Sequence, residues 1–262
     1  MSQTVKEGKK EELVRKLFEM GAHFGFSRKR RHPSVDPFIY GYKNNTAVID
    51  LEKSLGSLEK AEAFFEQLGM NKSVIVFVGN KPEAQSSVQK GAMSIMMPYV
   101  TERWLGGTLT NFKQMTKRIN HLKWLREAEA SGELAKYTKK ERLLLAKERK
   151  DLERYFEGIS DLARIPQAMF VVDAKAEAIA VAEAKQMKVK IVALAGSDCD
   201  IRGIDYPIVA NDNSRLTIAY VTERLVQAYK DGLAKAPAPV EKTDTTNTAG
   251  VEVVASATLE TK

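Results

Sequence analysis

Short apolar runs alternate along the chain with segments in which apolar residues recur at helical spacing. The runs are typical of strands buried on both faces, and the spaced segments are typical of amphipathic helices. The predicted strands are 46–51, 73–78, 98–101, 168–173, 190–195 and 206–209. The predicted helices are 11–20, 51–68, 82–96, 177–187 and 213–233, with Gly21 and Gly69 closing the first two. This alternation predicts an α/β fold with a doubly wound, mainly parallel, Rossmann-like sheet.

Residues 113–157 follow a different pattern, in which charged residues dominate and apolar residues form two narrow seams. The segment has 13 Lys or Arg residues against 8 Asp or Glu residues. The seams are Met115, Ile119, Leu122 and Leu125, then Leu145, Leu152, Phe156 and Ile159. Thr138 and Glu141 have the spacing of a capping box at the start of a helix. The pattern predicts an antiparallel helical hairpin, a coiled coil, that stands out from the body with a basic exterior.

The predicted domain organisation follows from that insertion. Residues 1–112 and 158–236 form a discontinuous α/β domain, and residues 113–157 form the inserted hairpin. Residues 237–262 are rich in Ala, Thr and Val and are predicted to be a disordered C-terminal tail. Residues 22–41 contain two prolines and two glycines and are predicted to be irregular. Pro207 places the last predicted strand at an edge of the sheet.

Composition excludes several classes of protein. A hydrophobic content of 44% and a single cysteine, Cys199, fit a globular protein and not a disulfide scaffold. No apolar run approaches the ~20 residues of a membrane-spanning helix. The acidic residues near the start, Glu7, Glu11 and Glu12, argue against a secretory signal. We therefore expect a cytoplasmic protein with no membrane partner.

The charge of the chain is unevenly distributed. The net charge is +7, while residues 237–262 carry −2, so the remaining chain carries +9. A basic body favours a polyanionic partner, through counterion release and long-range attraction. Ordinary solubility explains the same excess, and charge alone leaves both explanations open.

Basic and aromatic residues are interleaved between residues 23 and 43, where the net charge is +4. The densest part is Arg28, Lys29, Arg30 and Arg31. Such interleaving suits RNA, because cations meet phosphates and flat rings meet exposed bases. The alternative is a solvated charge run whose phenylalanines are core anchors; we favour RNA contact for the arginines and the core for the phenylalanines. His23 and His32 lack further metal ligands at suitable spacing, so no zinc site is predicted.

The segment Arg103–Phe112 links the first α/β part to the hairpin and contains the pair Gly106 and Gly107. Adjacent glycines permit backbone conformations that side chains disfavour. The segment would therefore be a stiff elbow that packs Trp104, or a place where backbone approaches a ligand closely. Physical reasoning favours the elbow and leaves the ligand contact open.

A doubly wound sheet also suggests a nucleotide- or sugar-phosphate-binding enzyme, which is the alternative function. The loops after the predicted strands lack both the dinucleotide glycine pattern and the Gly-x4-Gly-Lys-Ser/Thr phosphate loop. Asp198, Asp200, Asp205 and Asp212 would suit Mg²⁺, although capping of turns and helices is favoured for them. No histidine lies near Cys199 in sequence, so a thiolate nucleophile has little support. We expect no cofactor and no catalysis.

Several ordered motifs resemble the bacterial ribosomal protein S-two family, the second protein of the small subunit. Arg103–Phe112 resembles the family's RWLGG-TLTNF element, and residues 21–25, 37–41 and 48–53 resemble GVHFGH, PFIFG and IIDLEKT. Residues 77–81, 170–173 and 205–212 are similar to FVGTK, FVVD and DYPIPGNDD, and Glu183-Ala184 stands where the family has EA. The resemblance spans 13–233. Phe26, His32 and Gly196–Asp198 depart from the family pattern, which indicates a divergent member.

The resemblance implies a structural protein of the small ribosomal subunit, bound between head and body. It would pack on small-subunit ribosomal RNA among neighbouring ribosomal proteins and help recruit ribosomal protein S-one, with no small-molecule substrate. Basic residues would neutralise phosphates, while Trp104 and the glycines would shape the elbow. The predicted RNA-binding residues are His23, Arg28, Lys29, Arg30, Arg31, His32, Arg103, Trp104, Asn111, Lys113 and Lys117.

Overall fold

The structure, a computed structural model, describes residues 2–236, which form seven α-helices and two β-sheets. The predicted disordered tail, 237–262, lies outside the described residues. Across residues 2–236, none of the helices combines the length and the apolar character that crossing a membrane requires.

The larger sheet has five strands, all parallel, in the order β5-β4-β6-β7-β8. Its strands are β4 (Ile75–Val78), β5 (Tyr99–Val100), β6 (Ala168–Val172), β7 (Lys190–Ala195) and β8 (Tyr206–Val209). The predicted α/β class with a mainly parallel sheet is confirmed. The sheet edge at β8 contains Pro207, as expected of a residue that cannot donate to a ladder.

Helices cover both faces of this sheet. Side chains that alternate along β4 enter different cores, Ile75 and Phe77 on one face and Val76 and Val78 on the other. The first core is completed by α2 (Leu51–Met70), α3 (Pro82–Met93) and α7 (Arg215–Lys235). The second is completed by α4 (Phe112–Ala130), α5 (Lys139–Phe156) and α6 (Ala178–Gln186). Burial on both faces explains why these strands are continuous apolar runs.

Helices α4 and α5 correspond to the two apolar seams. Ile119, Leu122 and Leu125 are buried with Leu152 and Phe156 in the cluster that covers the sheet. The capping box between Thr138 and Glu141 is present at the start of α5. The coiled-coil winding and the division into separate domains stay predictions.

The segment predicted to be irregular is ordered instead into a small antiparallel sheet. Its strands β1 (Phe24–Ser27), β2 (Ile39–Lys43) and β3 (Thr46–Ile49) lie in the order β1-β3-β2, and a 3₁₀ helix spans Pro33–Phe38. The run 46–51 therefore belongs to this sheet and not to the parallel one. Asn44 and Asn45 make the tight β2–β3 turn with positive φ values of 48° and 62°. The turn fixes the register between β2 and β3. The Pro and Gly content of the segment gave no indication of this pairing.

Several helix ends differ from the predicted ones. Helix α1 spans Ser2–Glu19 and so begins before residue 11, although Gly21 follows it with φ +73°, as a C-cap glycine does. Helix α3 ends at Met93 because the chain turns back through Met96, whose φ is +52°. Helix α2 continues through Gly69 to Met70.

Gly69 lies where α2 and α7 cross at close range. A Cβ at Gly69 would overlap the backbone carbonyl of Tyr229, and a Cβ at Gly232 would overlap the carbonyl of Glu66. These glycines therefore serve helix packing, and the α2 terminus needs no glycine at position 69.

We predict that Gly69→Ala lowers the free energy of unfolding by about 1–3 kcal/mol, because the added methyl group forces the two helices apart. Gly56→Ala is the matched control on the same helix, since a Cβ there meets nothing within 4 Å. It should stabilise the protein by about 0.5–1 kcal/mol. Urea unfolding measures both, and equal effects of the two substitutions would contradict the packing role.

Candidate nucleic-acid interface

The basic segment, residues 28–32, follows β1 and precedes the 3₁₀ helix, so the small sheet holds it at the surface. Arg28 and Lys29 are exposed and make no ion pair with the part of the chain that the structure describes. The Arg28 guanidinium lies 5.1 Å from the centroid of the Tyr42 ring. These two side chains present unneutralised charge to solvent.

The next residues of the segment are engaged within the fold. Arg30 lies over the Phe26 ring and pairs with Asp198 at 3.6 Å, and Arg31 pairs with Asp36 at 2.6 Å. Arg31 also donates to the Tyr42 hydroxyl at 2.9 Å. Sequence analysis placed residues 28–31 in one RNA-binding set. In the structure, Arg30 and Arg31 form ion pairs, whereas Arg28 and Lys29 form none with the described residues.

The two predicted histidines also have partners inside the fold. The His32 ring accepts a hydrogen bond from the Ser34 amide and lies 3.8 Å from Asp200. The His23 imidazole stacks on Phe18 at a centroid distance of 4.2 Å and contacts the Phe24 ring in a tilted arrangement at 4.0 Å. Burial lowers the pKa of His23 below its ordinary value, so this ring is neutral at neutral pH.

The elbow loop, residues 103–111, is organised by a single carboxylate from α6. Glu183 accepts hydrogen bonds from the amides of Gly107 (2.6 Å), Leu109 (2.9 Å) and Thr110 (3.1 Å). It also accepts from the Trp104 indole and from the Thr110 hydroxyl, each at 3.3 Å. Trp104 is only 3% exposed, so its indole packs beneath the loop and leaves no face for an RNA base.

The electrostatics of Glu183 differ from those of Glu177 on the same helical segment. Burial alone would raise the pKa of Glu183, but the loop's N–H donors outweigh burial and hold it below its ordinary value. Burial raises the pKa of Glu177 to about 7, assisted by the Asp173 charge. The sequence does contain a signal for Glu183, because this glutamate stands among the apolar residues of α6. A carboxylate on a buried helix face needs hydrogen-bond donors.

The remaining residues of the predicted elbow site are at the surface. Arg103, Asn111, Lys113 and Lys117 are exposed, and the three cations make no ion pair with any of residues 2–236. Arg103 lies on the elbow loop, Asn111 is the N-cap residue of α4, and Lys113 and Lys117 lie in the first two turns of that helix. Helix α6 contacts this loop through Glu183. Ala178 and Ala182 of the same helix line a cavity of about 400 Å³ together with His32.

The carboxyl ends of β4 and β6, where a doubly wound sheet commonly binds ligands, hold an internal ion cluster. The Lys81 ammonium pairs with Asp212 at 2.8 Å and also with Asp173. Cys199 donates its thiol proton to Asp173 at 3.4 Å. Asp173, Cys199 and Asp212 thus place three possible metal-ligand atoms within 4.8 Å of one another, but the Lys81 ammonium already bridges the two carboxylates.

The pKa values agree with a closed ion cluster. Burial would lower the pKa of Lys81, but the two carboxylates outweigh it and raise that pKa. Burial raises the pKa of Asp212 to about 6, and burial together with the Asp173 charge raises that of Cys199 to about 12. The Cys199 thiol therefore stays protonated and is no nucleophile.

The four aspartates considered for Mg²⁺ do not form one site. Asp205 precedes β8 and accepts from Lys190 Nζ (2.7 Å) and the Ile191 amide (3.0 Å), at the amino end of the sheet. Asp198, Asp200 and Asp212 follow strands at the carboxyl end. In a parallel sheet, residues that precede the strands and residues that follow them lie at opposite ends of the strands. Asp205 is therefore separated from Asp198, Asp200 and Asp212.

Comparison with known proteins agrees with the sequence motifs. The family model described as ribosomal protein S2 matches residues 17–232. The chain belongs to the ribosomal protein S2 family. It is similar to the small ribosomal subunit protein uS2 of Mycolicibacterium gilvum, with 38% identity over 88% of this chain and 83% of the relative. The uS2 proteins of Mycobacteroides abscessus and Thermobifida fusca are each 39% identical over 84% of this chain, covering 79% and 76% of their own lengths.

Membership of the S2 family makes this chain a structural ribosomal protein and not an enzyme. The enzyme alternative is therefore rejected. The ion cluster at Lys81 is consistent with that conclusion, because an internal ammonium fills the position at which an enzyme of this fold class would bind a ligand.

We predict that Glu183→Gln lowers the free energy of unfolding by about 2–3 kcal/mol at pH 7, because an amide nitrogen cannot accept from the loop's N–H groups. The folded-state pKa of Glu183 is lowered, so its contribution is present above pH 4.5 and is lost as the pH falls. Urea unfolding at pH 7 and at pH 4 tests this: the deficit of the variant should shrink at pH 4.

Glu177→Gln is the matched control. The folded-state pKa of Glu177 is raised to about 7, so the native residue loses stability as the pH rises from 4.5 to 7. The stability of the variant relative to the wild type should therefore increase over that pH range. If Glu177→Gln lowers the free energy of unfolding at pH 7 as much as Glu183→Gln does, the special role assigned to the Glu183 carboxylate is contradicted.

We predict that Lys81→Met lowers the free energy of unfolding by about 3–5 kcal/mol, because it leaves Asp173 and Asp212 buried without their counter-ion. Lys190→Met is the control, since the Lys190–Asp205 pair is largely exposed and should contribute under about 1 kcal/mol. Thermal unfolding at pH 7 compares the two. Equal losses would show that Lys81 is an ordinary surface cation.

Proposed function

We propose that this S2-family chain is a component of the bacterial-type small ribosomal subunit that binds small-subunit ribosomal RNA. In this proposal it works in the cytoplasm, on the ribosome, between the head and the body of the subunit and beside other ribosomal proteins. Relatives 38–39% identical are each named small ribosomal subunit protein uS2, which supports the assignment to that subunit.

One observation carries the RNA-binding proposal. Basic side chains stand exposed without an acidic partner among the described residues, at two places beside α6; they are Arg28, Lys29, Arg103, Lys113 and Lys117. The neighbouring acidic groups are already committed: Asp198 to Arg30 and Lys175, Asp36 to Arg31, and Asp200 to Arg202. The uncommitted charge is therefore positive, which suits a phosphate backbone.

The engaged residues have a supporting role in this proposal. Arg30, Arg31, His23 and His32 hold the basic segment in its conformation through their ion pairs, ring stacking and hydrogen bonds. Asn111 contributes a free amide, because its side chain does not cap α4. Phosphate contacts of this kind orient a protein on RNA without reading its sequence.

Recruitment of ribosomal protein S-one belongs to the same proposal and uses a different surface. Phe18 and Phe24 are 59% and 53% exposed although both contact the His23 ring, Phe18 by stacking and Phe24 in a tilted arrangement. Exposed aromatic rings packed around one imidazole suit docking of a protein chain. The adjacent groove along α1 is lined by Val14 and Phe18. We assign this aromatic surface, and not the basic segment, to S-one.

The assembly proposal is tested by sedimentation of tagged protein from a lysate on sucrose gradients at low and at high salt. Co-migration with small subunits that weakens as salt rises is the expected result, because phosphate contacts are salt-dependent. Migration as free protein under both conditions would overturn the proposal.

We predict that Arg28→Ala/Lys29→Ala weakens binding to a small-subunit rRNA transcript and reduces the slope of log K against log salt by about 1–2, since each lost phosphate contact changes it by ~0.7–0.9. The melting temperature should change little, because neither side chain forms an ion pair with residues 2–236 and Arg28 loses only a contact with the exposed Tyr42 ring. Filter binding over a salt series gives the slope.

The control Lys90→Ala/Lys230→Ala removes the same net charge from exposed positions on α3 and α7. It should leave the slope nearly unchanged. If both double variants weaken binding equally, residues 28–29 are a solvated charge run and the attraction is nonspecific.

A further inference from the structure

Gly106 is a glycine that the fold itself does not require. It is exposed, its φ lies outside the left-handed region, and a Cβ added there would meet nothing within 4 Å. Its neighbour Gly107 differs, because Gly107 has φ +93° and a Cβ there would press on Asn111 and Met115. The elbow therefore explains Gly107 and leaves Gly106 unexplained.

The backbone at Gly106 is open as well as uncrowded. The Gly106 amide donates to no acceptor in residues 2–236, whereas the amides of Gly107, Leu109 and Thr110 are all used by Glu183. A glycine without a side chain lets a ligand come within hydrogen-bonding distance of its amide. An exposed, unused donor at a bare position is suited to an acceptor such as a phosphate oxygen.

The exposed charged side chains that flank Gly106 in the loop and on α4 include three cations, while the carboxylate bonded to the loop, Glu183, is buried beneath it. Arg103 precedes Gly106, and Lys113 and Lys117 follow it on α4; all three are exposed and unpaired within the described chain. The nearest acid of the loop, Glu102, is held by Arg154 at 3.0 Å. Three cations without an acidic partner among residues 2–236 therefore favour a polyanion over a single acidic side chain, because each cation can neutralise one phosphate.

The loop is preorganised before any ligand arrives. Five hydrogen bonds to Glu183 fix residues 104–110, and the Asn111 amide donates to the Gly107 carbonyl at 2.8 Å. A loop held in this way loses little conformational entropy on binding, which raises affinity.

We infer that Gly106 is a backbone contact for the ribose-phosphate chain of RNA, on an elbow loop that Glu183 positions. The inference rests on the proposed rRNA binding and deepens it. The peptide amide of Gly106 donates to a phosphate oxygen, and Arg103, Lys113 and Lys117 neutralise the flanking phosphates. Glu183 touches no RNA and acts through the loop.

The test is Gly106→Leu in the full chain, assayed for binding to a small-subunit rRNA transcript and for thermal unfolding. We expect affinity to fall at least fivefold, because the side chain covers the amide, while the melting temperature stays within a degree of wild type. Gly106→Ala should give a smaller loss of affinity. Gly56→Leu, at another open glycine, should bind as the wild type does.

The outcomes separate this inference from the function beneath it. If the wild type binds the transcript, Arg28→Ala/Lys29→Ala weakens binding and Gly106→Leu does not, the Gly106 contact is wrong and rRNA binding stands. If the wild type shows no salt-dependent binding, the proposed function fails first. A fall in melting temperature that matches the loss of affinity would mean that Gly106 is needed for folding, which also overturns the contact.

Discussion

A carboxylate removed from water must find donors, and at Glu183 the elbow loop supplies them. The amides of Gly107, Leu109 and Thr110 converge on it, with the Trp104 indole packed below. Because N–H donors stabilise the ionised form, the pKa of Glu183 is lowered despite its burial. The shape of the loop, and hence the position of Arg103 and of the start of α4, depends on this one acceptor.

A second buried charge cluster lies at the carboxyl ends of the parallel strands, where doubly wound sheets commonly bind ligands. Lys81 joins Asp173 and Asp212 at the carboxyl ends of the strands, so the crevice of the doubly wound fold is filled by the protein's own side chains. Asp173 takes φ +64° there, a conformation that non-glycine residues rarely adopt. The fold therefore keeps the architecture of a ligand-binding sheet while its surface chemistry is that of a structural ribosomal protein.

Charge pairing also explains why a basic protein presents only part of its charge. Arg30 and Arg31 pair with Asp198 and Asp36, whereas Arg28 and Lys29 on the same segment pair with no acidic group among residues 2–236. On the elbow, Glu102 is held by Arg154, and Arg103, Lys113 and Lys117 have no acidic partner in that part of the chain. Counting net charge along the chain therefore overstates the number of basic side chains without an acidic partner, and the geometry of the ion pairs among the described residues separates the two groups.

Periodicity by itself determined the parallel strands and the helices that cover them, because burial on both faces of a strand leaves a continuous apolar run. The 3–4 spacing of apolar residues indicated the two seams of α4 and α5, because one face of each helix packs against the core, and ordered motifs indicated the family. Only tertiary structure decided that residues 24–27 and 39–43 pair with residues 46–49 in a sheet, that Gly69 serves α7, that Trp104 is buried, and that Asp205 lies apart from Asp212. Gly69 and Trp104 depend on partners distant in sequence, Tyr229 and Glu183, and local pattern carries no information about which distant group will satisfy a packing contact or a hydrogen bond.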